Sequence, residues 1–559
     1  MSRTNEAMRD LLRYGSAIMP RERSRFDKSH SHTTTLDSGY IVPVMWDRVL
    51  PGDEKEIQFS GLCRMTTPLH PVMDSAKLDT FAFFVPDRLW WIHAKEFYGE
   101  NLDADFNEDG EYIMPYINSN YWAVRNYEDE TYNGVMSLND YLGFPVMEED
   151  NRERQADNPD FYCSAGLHRS YQLIWNEWFR NSSIQPALTL NTGDTVSNTE
   201  WQTISQLRKA NRYPDYFTTL LREPQAGEDV MIPLDEYAPV VARSGQYVTF
   251  EEGRNPLTLA NGVGESLTGG PHNLIVYGQE ARRVDAESST QSANSVQPNN
   301  LWARMSDMTS PTISNLRSAI TIQHFKEITN LAGRRFQSII KSHFGTFTPD
   351  DVLQRPELLG MTSTTIGMRQ VVQQGASTED SPLGNVAAVS VTNVNNAYVC
   401  NKSFTEPGFV MVLCVVRPEV SYSQGINPLI QKLSTYEHFW PCFDKISNQP
   451  VYGRNIYADF HGDDSVLGYS SAWNEYRIMQ NRVSGLMRPD VANNLASWNY
   501  SIRFEGSPVL NDEFLQVDPL LIDRTIAVTD EPQFLLDCWF DYKDTKAMSV
   551  HSTPGLGYI

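Results

Sequence analysis

From Tyr40 onward, apolar and polar residues exchange over short distances. YIVPVMW (40–46) runs into the turn Pro51-Gly52-Asp53, and EIQFSGLCRMT (56–66) and AKLDTFAFFVP (76–86) follow. Short β-branched and aromatic runs at this spacing predict the strands of a sandwich or barrel. The texture returns in VAAVSVTNV (386–394) and FVMVLCVV (409–416). Near the C-terminus, Phe534, Leu536, Cys538, Phe540 and Tyr542 recur at every second position, with Asp537 and Asp541 between them. A period of two assigns these five residues to the inward face of one core strand.

Two stretches carry a helical period instead. In AGLHRSYQLIWNEWF (165–179), Leu167, Tyr171, Ile174 and Trp178 form one stripe. A second helix is expected from Ser310-Pro311, an N-cap followed by Pro at the first helical position. It runs through Ile313, Leu316, Ile320, Phe325, Ile328, Leu331, Phe336 and Ile339, with an irregularity near Gly333. Between the helices, AESSTQSANSVQPNN (286–300) is polar and reads as an exposed loop excursion. The order is therefore strands, a long insertion with helices, then strands. A core whose first strands pair with its last fits a Greek-key or jelly-roll sandwich, because long excursions between strands cost little extra closure entropy.

Composition narrows the class. The chain has 559 residues, 40% of them hydrophobic and 21% charged, so it is globular rather than disordered. The longest apolar run, Phe409–Val416, is far short of the ~20 residues a spanning helix needs. No apolar signal-peptide core precedes the first strands; Leu11-Leu12 is flanked by charges. The six cysteines include no Cys-x-x-Cys pair and read as reduced, mostly buried thiols. Arg outnumbers Lys 34 to 12 and aromatic residues make up 11%, a bias favoured at protein interfaces. The net charge is −24, and residues 100–160 hold 16 acidic against 3 basic side chains. The first 32 residues reverse the sign, with 7 basic against 4 acidic. This polar segment reads as an arm able to meet a polyanion through Arg3, Arg9, Arg13, Arg21, Arg23, Arg25 and Lys28.

Catalytic signatures are lacking. No Gly-Lys dipeptide, Gly-x-Ser-x-Gly elbow or His-Glu-x-x-His occurs. Gly262-Val263-Gly264 lacks the third glycine of a dinucleotide loop. Asp103, Asp105 and Asn107 begin like a calcium loop, but Glu108 and Met114 occupy its glycine and bidentate-glutamate positions. Glu177 in WNEW invites a glycosidase reading, yet it lies beside the apolar stripe of a helix and reads better as a surface or interface carboxylate. His30 and His32 alone are weak evidence for a metal. No catalytic residue, metal or cofactor is assigned.

Several blocks carry a resemblance. SRFDKSHSHTTTLDSGYIVPVMWDRVLPGD, PVMD, LDTFAFFVP, LIWNEWFR, PDYFTTLLREPQ, IIKSHFG, LQRPELLG, SYSQGINPL, PVLNDEF and STPGLGYI follow one another from residue 24 to residue 559. In that order the chain resembles the major capsid proteins of the Microviridae, small single-stranded DNA bacteriophages, and most closely the gokushovirus-like branch. The resemblance implies a mainly β fold: a single eight-stranded antiparallel jelly roll of viral capsid type, with long α and loop insertions between strands. It implies a T=1 icosahedral homo-oligomer of roughly 60 copies, enclosing a circular single-stranded DNA genome. It also implies a small basic DNA-binding virion protein as partner, a host surface receptor as a further one, and assembly in bacterial cytoplasm.

The expected division is a basic internal arm (1–32), first strands (33–100), an inter-strand insertion with helix 165–180 (101–229) and a variable protruding insertion (230–305). A helical insertion (306–380) and the remaining strands with a C-terminal interface segment (381–559) complete it. The 230–305 insertion is expected to form the surface protrusion. The rival reading is a β-sandwich carbohydrate-active enzyme or lectin. It would use the aromatic excess and the carboxylates but leaves the basic arm unexplained.

Overall fold

The computed structural model describes residues 23–100, 112–118, 134–146, 161–230, 240–242, 259–261, 272–277, 280–285, 291–298, 301–303, 313–372, 386–458 and 465–551. The chain divides into two compact units, Met1–Ala226 with Ile328–Ile559, and Gly227–Glu327.

The first unit is mainly antiparallel β. Its principal strands are β1 (Ser24–Asp27), β2 (His30–Leu36), β3 (Val42–Val49), β4 (Glu54–Met65), β5 (Ala76–Pro86), β6 (Glu357–Ile366), β7 (Met368–Val372), β8 (Val386–Ser403), β9 (Gly408–Pro418) and β10 (Phe534–Lys546). One sheet runs β1-β10-β4-β8-β7, with β2 also on β10, and the other runs β6-β5-β9-β3. In β10, Phe534, Leu536, Cys538, Phe540 and Tyr542 are all buried, while Leu535 and Trp539 on the opposite face are about half exposed. The inward set packs with Ile57, Phe59 and Cys63 of β4 and with Val410, Val412 and Cys414 of β9.

β9 is buried on both faces, which is why its apolar run is continuous rather than alternating. Its even-numbered residues face the other sheet. Phe409, Met411, Leu413 and Val415 instead join Trp90, Trp91 and helix α1 (Gly166–Ile174) in a second core. α1 supplies Leu167, Tyr171 and Ile174 to that core, then widens into a π-helical turn over Trp175–Phe179. Several of its buried polar side chains bond neighbouring segments: Tyr171 donates to the Ile41 carbonyl at 2.8 Å, and Gln172 donates to Ile204 and Gln206 carbonyls at 3.0 and 2.8 Å. His168 donates through Nε2 to Asn139 at 2.7 Å, and burial pushes its pKa down to about 3.

Two sequence expectations change. The polar run SRFD and the His30–His32 start of HSHTTTL are expected within the arm (1–32), yet they form β1 and the beginning of β2 on the outer edge of β10. Edge strands with one wet face need no apolar alternation, so the pattern hid them. The expected loop 286–300 contains a strand, Gln291–Pro298, in a sheet ordered 272–277, 280–285, 291–298, 259–261 within the second unit. Backbone pairing holds such a strand whatever its side chains. The irregularity expected near Gly333 is present: the second helix divides there into α2 (Ile313–Ala332) and α3 (Phe336–Phe344), and the Gly333 φ of +87° is a left-handed conformation natural to glycine. Ser310-Pro311 lies outside the described residues.

Charged groups are buried where the first and last strands meet. Lys55 and Asp544 are fully buried. Lys55 Nζ lies 2.6 Å from Asp47 and 3.3 Å from Asp544. Lys28, just after β1, reaches Asp47 at 2.6 Å, and Lys546 reaches Asp53 at 2.8 Å and Asp544 at 3.1 Å. The Tyr542 hydroxyl bonds Lys55 and Asp47. Burial alone would raise the Asp47 pKa, but the Lys55 charge and the bonds from Lys28, Lys55 and Tyr542 hold it at about 2. The cluster ties β3, β4 and β10 to the segment between β1 and β2.

Phe540→Asp should abolish soluble folded subunits, because it buries an unpaired charge. Asp541→Ala removes only exposed contacts to Lys543 and Ser29 and should cost at most ~1 kcal/mol in urea unfolding. Equal losses in the two variants would contradict this register. Lys55→Met removes the fully buried cation between Asp47 and Asp544 but leaves them Lys28 and Lys546, so it should cost less than the roughly 3–5 kcal/mol of a wholly uncompensated buried charge. Acid should weaken the subunit in two windows. The folded pKa of His168 lies below its unfolded value, so stability falls by about 1.4 kcal/mol per pH unit as pH drops below 6.5 toward about 3. Asp47 contributes stability above its ordinary value of 3.8, lost as pH falls through about 2. Unfolding series for His168→Gln and Asp47→Asn should each lose one window.

Candidate assembly surfaces

The largest departure from a self-contained subunit is apolar surface. No residue of α2 is buried, although it spans 20 residues. Ile313, Leu316, Ile320, Ile322, Phe325 and Leu331 are all exposed, as are Phe336 and Phe344 of α3. Isolated helices are marginal in water, and packing normally supplies their stability. Monomers rarely show contiguous apolar patches of this kind unless a partner covers them.

A second surface lies between β9 and β10. Leu433, Tyr436 and Met479 are 90%, 80% and 83% exposed, and Ile430, Trp440 and Leu486 are exposed as well. Polar anchors order this segment. Asn427 accepts from Leu429 N–H at 2.9 Å, and Glu437 accepts from Leu433 and Ser434 N–H at 2.7 and 3.2 Å. Those backbone bonds lower the Glu437 pKa. Trp440 donates to the Thr435 carbonyl at 3.0 Å. Lys432, ion-paired with Glu475, sits 4.6 Å over Trp473 and 5.3 Å over Tyr476. The backbone is thus held from within while large apolar side chains point out, the form of a pre-organised protein-binding surface. Sequence reasoning missed it. Its only signal is the aromatic string TYEHFW (435–440), which has no period to assign it inward or outward.

The arm residues fall into two groups. Arg3, Arg9, Arg13 and Arg21 lie outside the described residues. Arg23 donates to the Gly52 carbonyl, Arg25 pairs with Glu56 at 2.8 Å, and Lys28 belongs to the buried charge cluster. Local carboxylates therefore already meet the charges of Arg25 and Lys28.

The other candidates do not assemble into a reaction centre. His30 Nδ1 is bonded to the Lys28 carbonyl at 2.8 Å and His32 Nδ1 to the Val44 carbonyl at 2.7 Å. Glu177 acts electrostatically on Arg180 and Arg335 from the π-helical turn. The Asp103-Asp105-Asn107 string and the Gly262-Val263-Gly264 string lie outside the described residues. Among the described residues, no group of three or more His, Cys, Asp or Glu could hold a metal ion, and no helix is long and apolar enough to cross a membrane. The cysteines are free; burial raises the thiols of Cys63, Cys400 and Cys414 to about 12, well outside the reactive range. One depression of about 1350 Å³ is open to solvent and lined by charges that include Arg88, Lys95, Glu96 and Glu406. Arg88 pairs with Glu406 across 2.6 Å.

Comparison with known proteins agrees with a surface built for assembly. Residues 16–556 match the family described as Capsid protein (F protein). Capsid protein VP1 of Chlamydia phage 1 is 31% identical over 598 aligned residues, covering 96% of each chain. Capsid protein VP1 of Spiroplasma virus 4 is 30% identical and covers 100% of this chain and 99% of its own. That of Bdellovibrio phage phiMH2K is 31% identical over 95% of each chain. The enzyme reading finds no support among them. Full-length relatedness, a mainly β body and uncovered apolar surface lead to one conclusion: the chain belongs to the phage capsid protein (F protein) family, as a structural protein of the virion.

Proposed function

We propose that this major capsid protein builds a small T=1 icosahedral shell around a circular single-stranded DNA genome. The observation that carries the reading is strand order. The sequence β2-β10-β4-β8 in one sheet and β3-β9-β5-β6 in the other is the pairing expected of an eight-stranded capsid jelly roll, in chain order β2, β3, β4, β5, β6, β8, β9, β10. The long connections after β5 and β9 then become the inter-subunit loops. A repeated identical contact in closed symmetry lets individually weak interfaces suffice.

The interior arm reading now rests on Arg3, Arg9, Arg13 and Arg21. These would contact phosphates, which position a nucleic acid without reading its sequence. The chain's −24 leaves most of the genome charge to other cations, consistent with a small basic virion protein as partner. The 230–305 insertion lies within the second compact unit, Gly227–Glu327, which suits a surface protrusion used for host attachment.

Deleting residues 2–21, which spares β1, should leave shells intact and reduce their DNA content, read by the ratio of absorbance at 260 to 280 nm in purified particles. Normal DNA content would refute the arm's role. Replacing 230–305 with a short Gly/Ser linker should preserve particle sedimentation and abolish adsorption to host cells. Undiminished adsorption would remove the attachment role.

A further inference from the structure

The α3 segment reverses the sign of the chain. Residues 328–349 hold no acidic side chain and three basic ones, Arg334, Arg335 and Lys341, although acidic residues outnumber basic ones 70 to 46 overall. Arg335 is used internally: its guanidinium donates to the Asn176 and Arg180 carbonyls at 2.8 and 2.9 Å. Arg334 and Lys341 are exposed, and among the described residues neither side chain meets a carboxylate. Asp350, which ends the stretch, pairs with Arg355 at 2.7 Å, and Glu177 acts on Arg180 and Arg335. Two cations are therefore left over. The backbone that carries them is fixed, because Arg334 N–H donates to Ser182 Oγ at 3.3 Å and Gln337 donates to the Thr348 carbonyl at 3.2 Å.

Aromatic rings alternate with these cations. Phe336, Phe344 and Phe347 are all largely exposed. Among the described residues, none of the three has a ring partner. At 100° and 1.5 Å per residue, Phe336 and Phe344 lie within one stripe ~80° wide and ~12 Å apart along the axis, with Lys341 ~60° to the side of Phe344. Sites for single-stranded nucleic acid are built this way: cations follow the backbone, and aromatic faces take the bases. A helix lying on a membrane sets its cations opposite its apolar face, whereas Lys341 stands beside Phe344. An apolar contact with a second copy would strip water from the Lys341 charge without pairing it, and Lys is depleted at such contacts. A phosphate pairs the same charge.

We infer that Arg334–Phe347 is a second contact for the single-stranded genome, outside the arm. Arg334 and Lys341 meet phosphates, and Phe336, Phe344 and Phe347 stack on unpaired bases. The inference rests on the shell reading above and deepens it by naming a surface that holds the DNA. Phosphate contact and stacking are indifferent to base identity, so the contact suits any stretch of the genome.

The test uses the full chain. Wild-type particles are first sedimented and their DNA content read; particles without DNA would overturn the shell reading and this inference with it. Dissociated subunits are then titrated with fluorescent oligo(dT) over a salt series. The Arg334→Gln, Lys341→Gln pair should flatten the slope of log affinity against log salt by ~1.4, at ~0.7 for each lost phosphate contact on a single strand. The Phe336→Ala, Phe344→Ala pair should bind about fivefold more weakly or worse, with the slope unchanged. All four residues are exposed, so both variants should fold, and Lys341→Arg should bind as the wild type does. If either pair binds with wild-type affinity and slope while wild-type particles hold DNA, the inference falls and the shell reading stands. Phe344→Cys in a Cys163→Ser, Cys442→Ser background tests the rival occupant, the other four cysteines being buried. A small maleimide should label it in DNA-free shells and not in full particles. Protection in both would place another copy of the chain over α3, and labelling in both would leave the surface bare; either result overturns the inference.

Discussion

The subunit depends on where its last long strand goes. β10 lies between the first strands, β1 and β2, and β4, so its sheet stays open until residue 546 has been made. Ten of the thirteen residues of β10 pair on both sides, and alternate ones fill the core. Contacts this distant in sequence form slowly, because loop closure precedes the reward of burial. The buried charge cluster sits at the same junction. A balanced set of lysines and aspartates inside a core adds little net stability over apolar packing but strongly penalises a mispaired strand. We read Lys55, Asp47, Asp544 and Tyr542 as fixing the register of the closing strand.

The second constraint is β9. Because both of its faces are buried, anything packed on the far side of its sheet becomes part of the subunit's rigid frame. α1 occupies that side; its Tyr171 and Gln172 bonds pin the neighbouring backbone, and His168 holds the Asn139 side chain. The inter-strand insertion is therefore anchored close to the sandwich even though its path is long. This frame can present loops with little movement, which matters when one misplaced contact would be repeated by every copy.

Much of this frame was legible in the sequence. β9, β10 and α1 each carry the period their environment demands: none where both faces are buried, two where one is, and the three-four spacing on a helix. β1 and β2 escaped because an edge strand is chosen by its partner's free backbone more than by its own side chains. The charge cluster was half visible. Lys55 shares parity with Ile57 and Phe59, and Asp544 shares parity with Phe540 and Tyr542, so both point inward on a simple count. A charged residue at an inward position reads as a strand end unless its counter-ion is known, and Asp47, on another strand, could not be supplied locally. The exposed apolar surfaces were illegible for a different reason. A stripe on α2 or the string TYEHFW looks the same whether it is covered by its own chain or by another, because burial is a property of the assembly and not of the segment.

Charge explains why the uncovered surfaces take the form they do. Copies of a chain with a net charge of −24 repel one another, and the genome proposed for the interior is itself a polyanion. Contacts between copies are then best placed where the chain carries little net charge. α2 has one acidic residue against two basic ones, and the 426–447 segment has two of each. The acidic excess gathers instead in residues 100–160, away in sequence from both surfaces. Such contacts draw their stability from apolar burial, which salt does not screen, while the repulsion between the acidic segments is screened by it. Added salt should therefore favour shell assembly, the opposite of what an assembly held by ion pairs would show, until the proposed phosphate contacts of the arm weaken in turn.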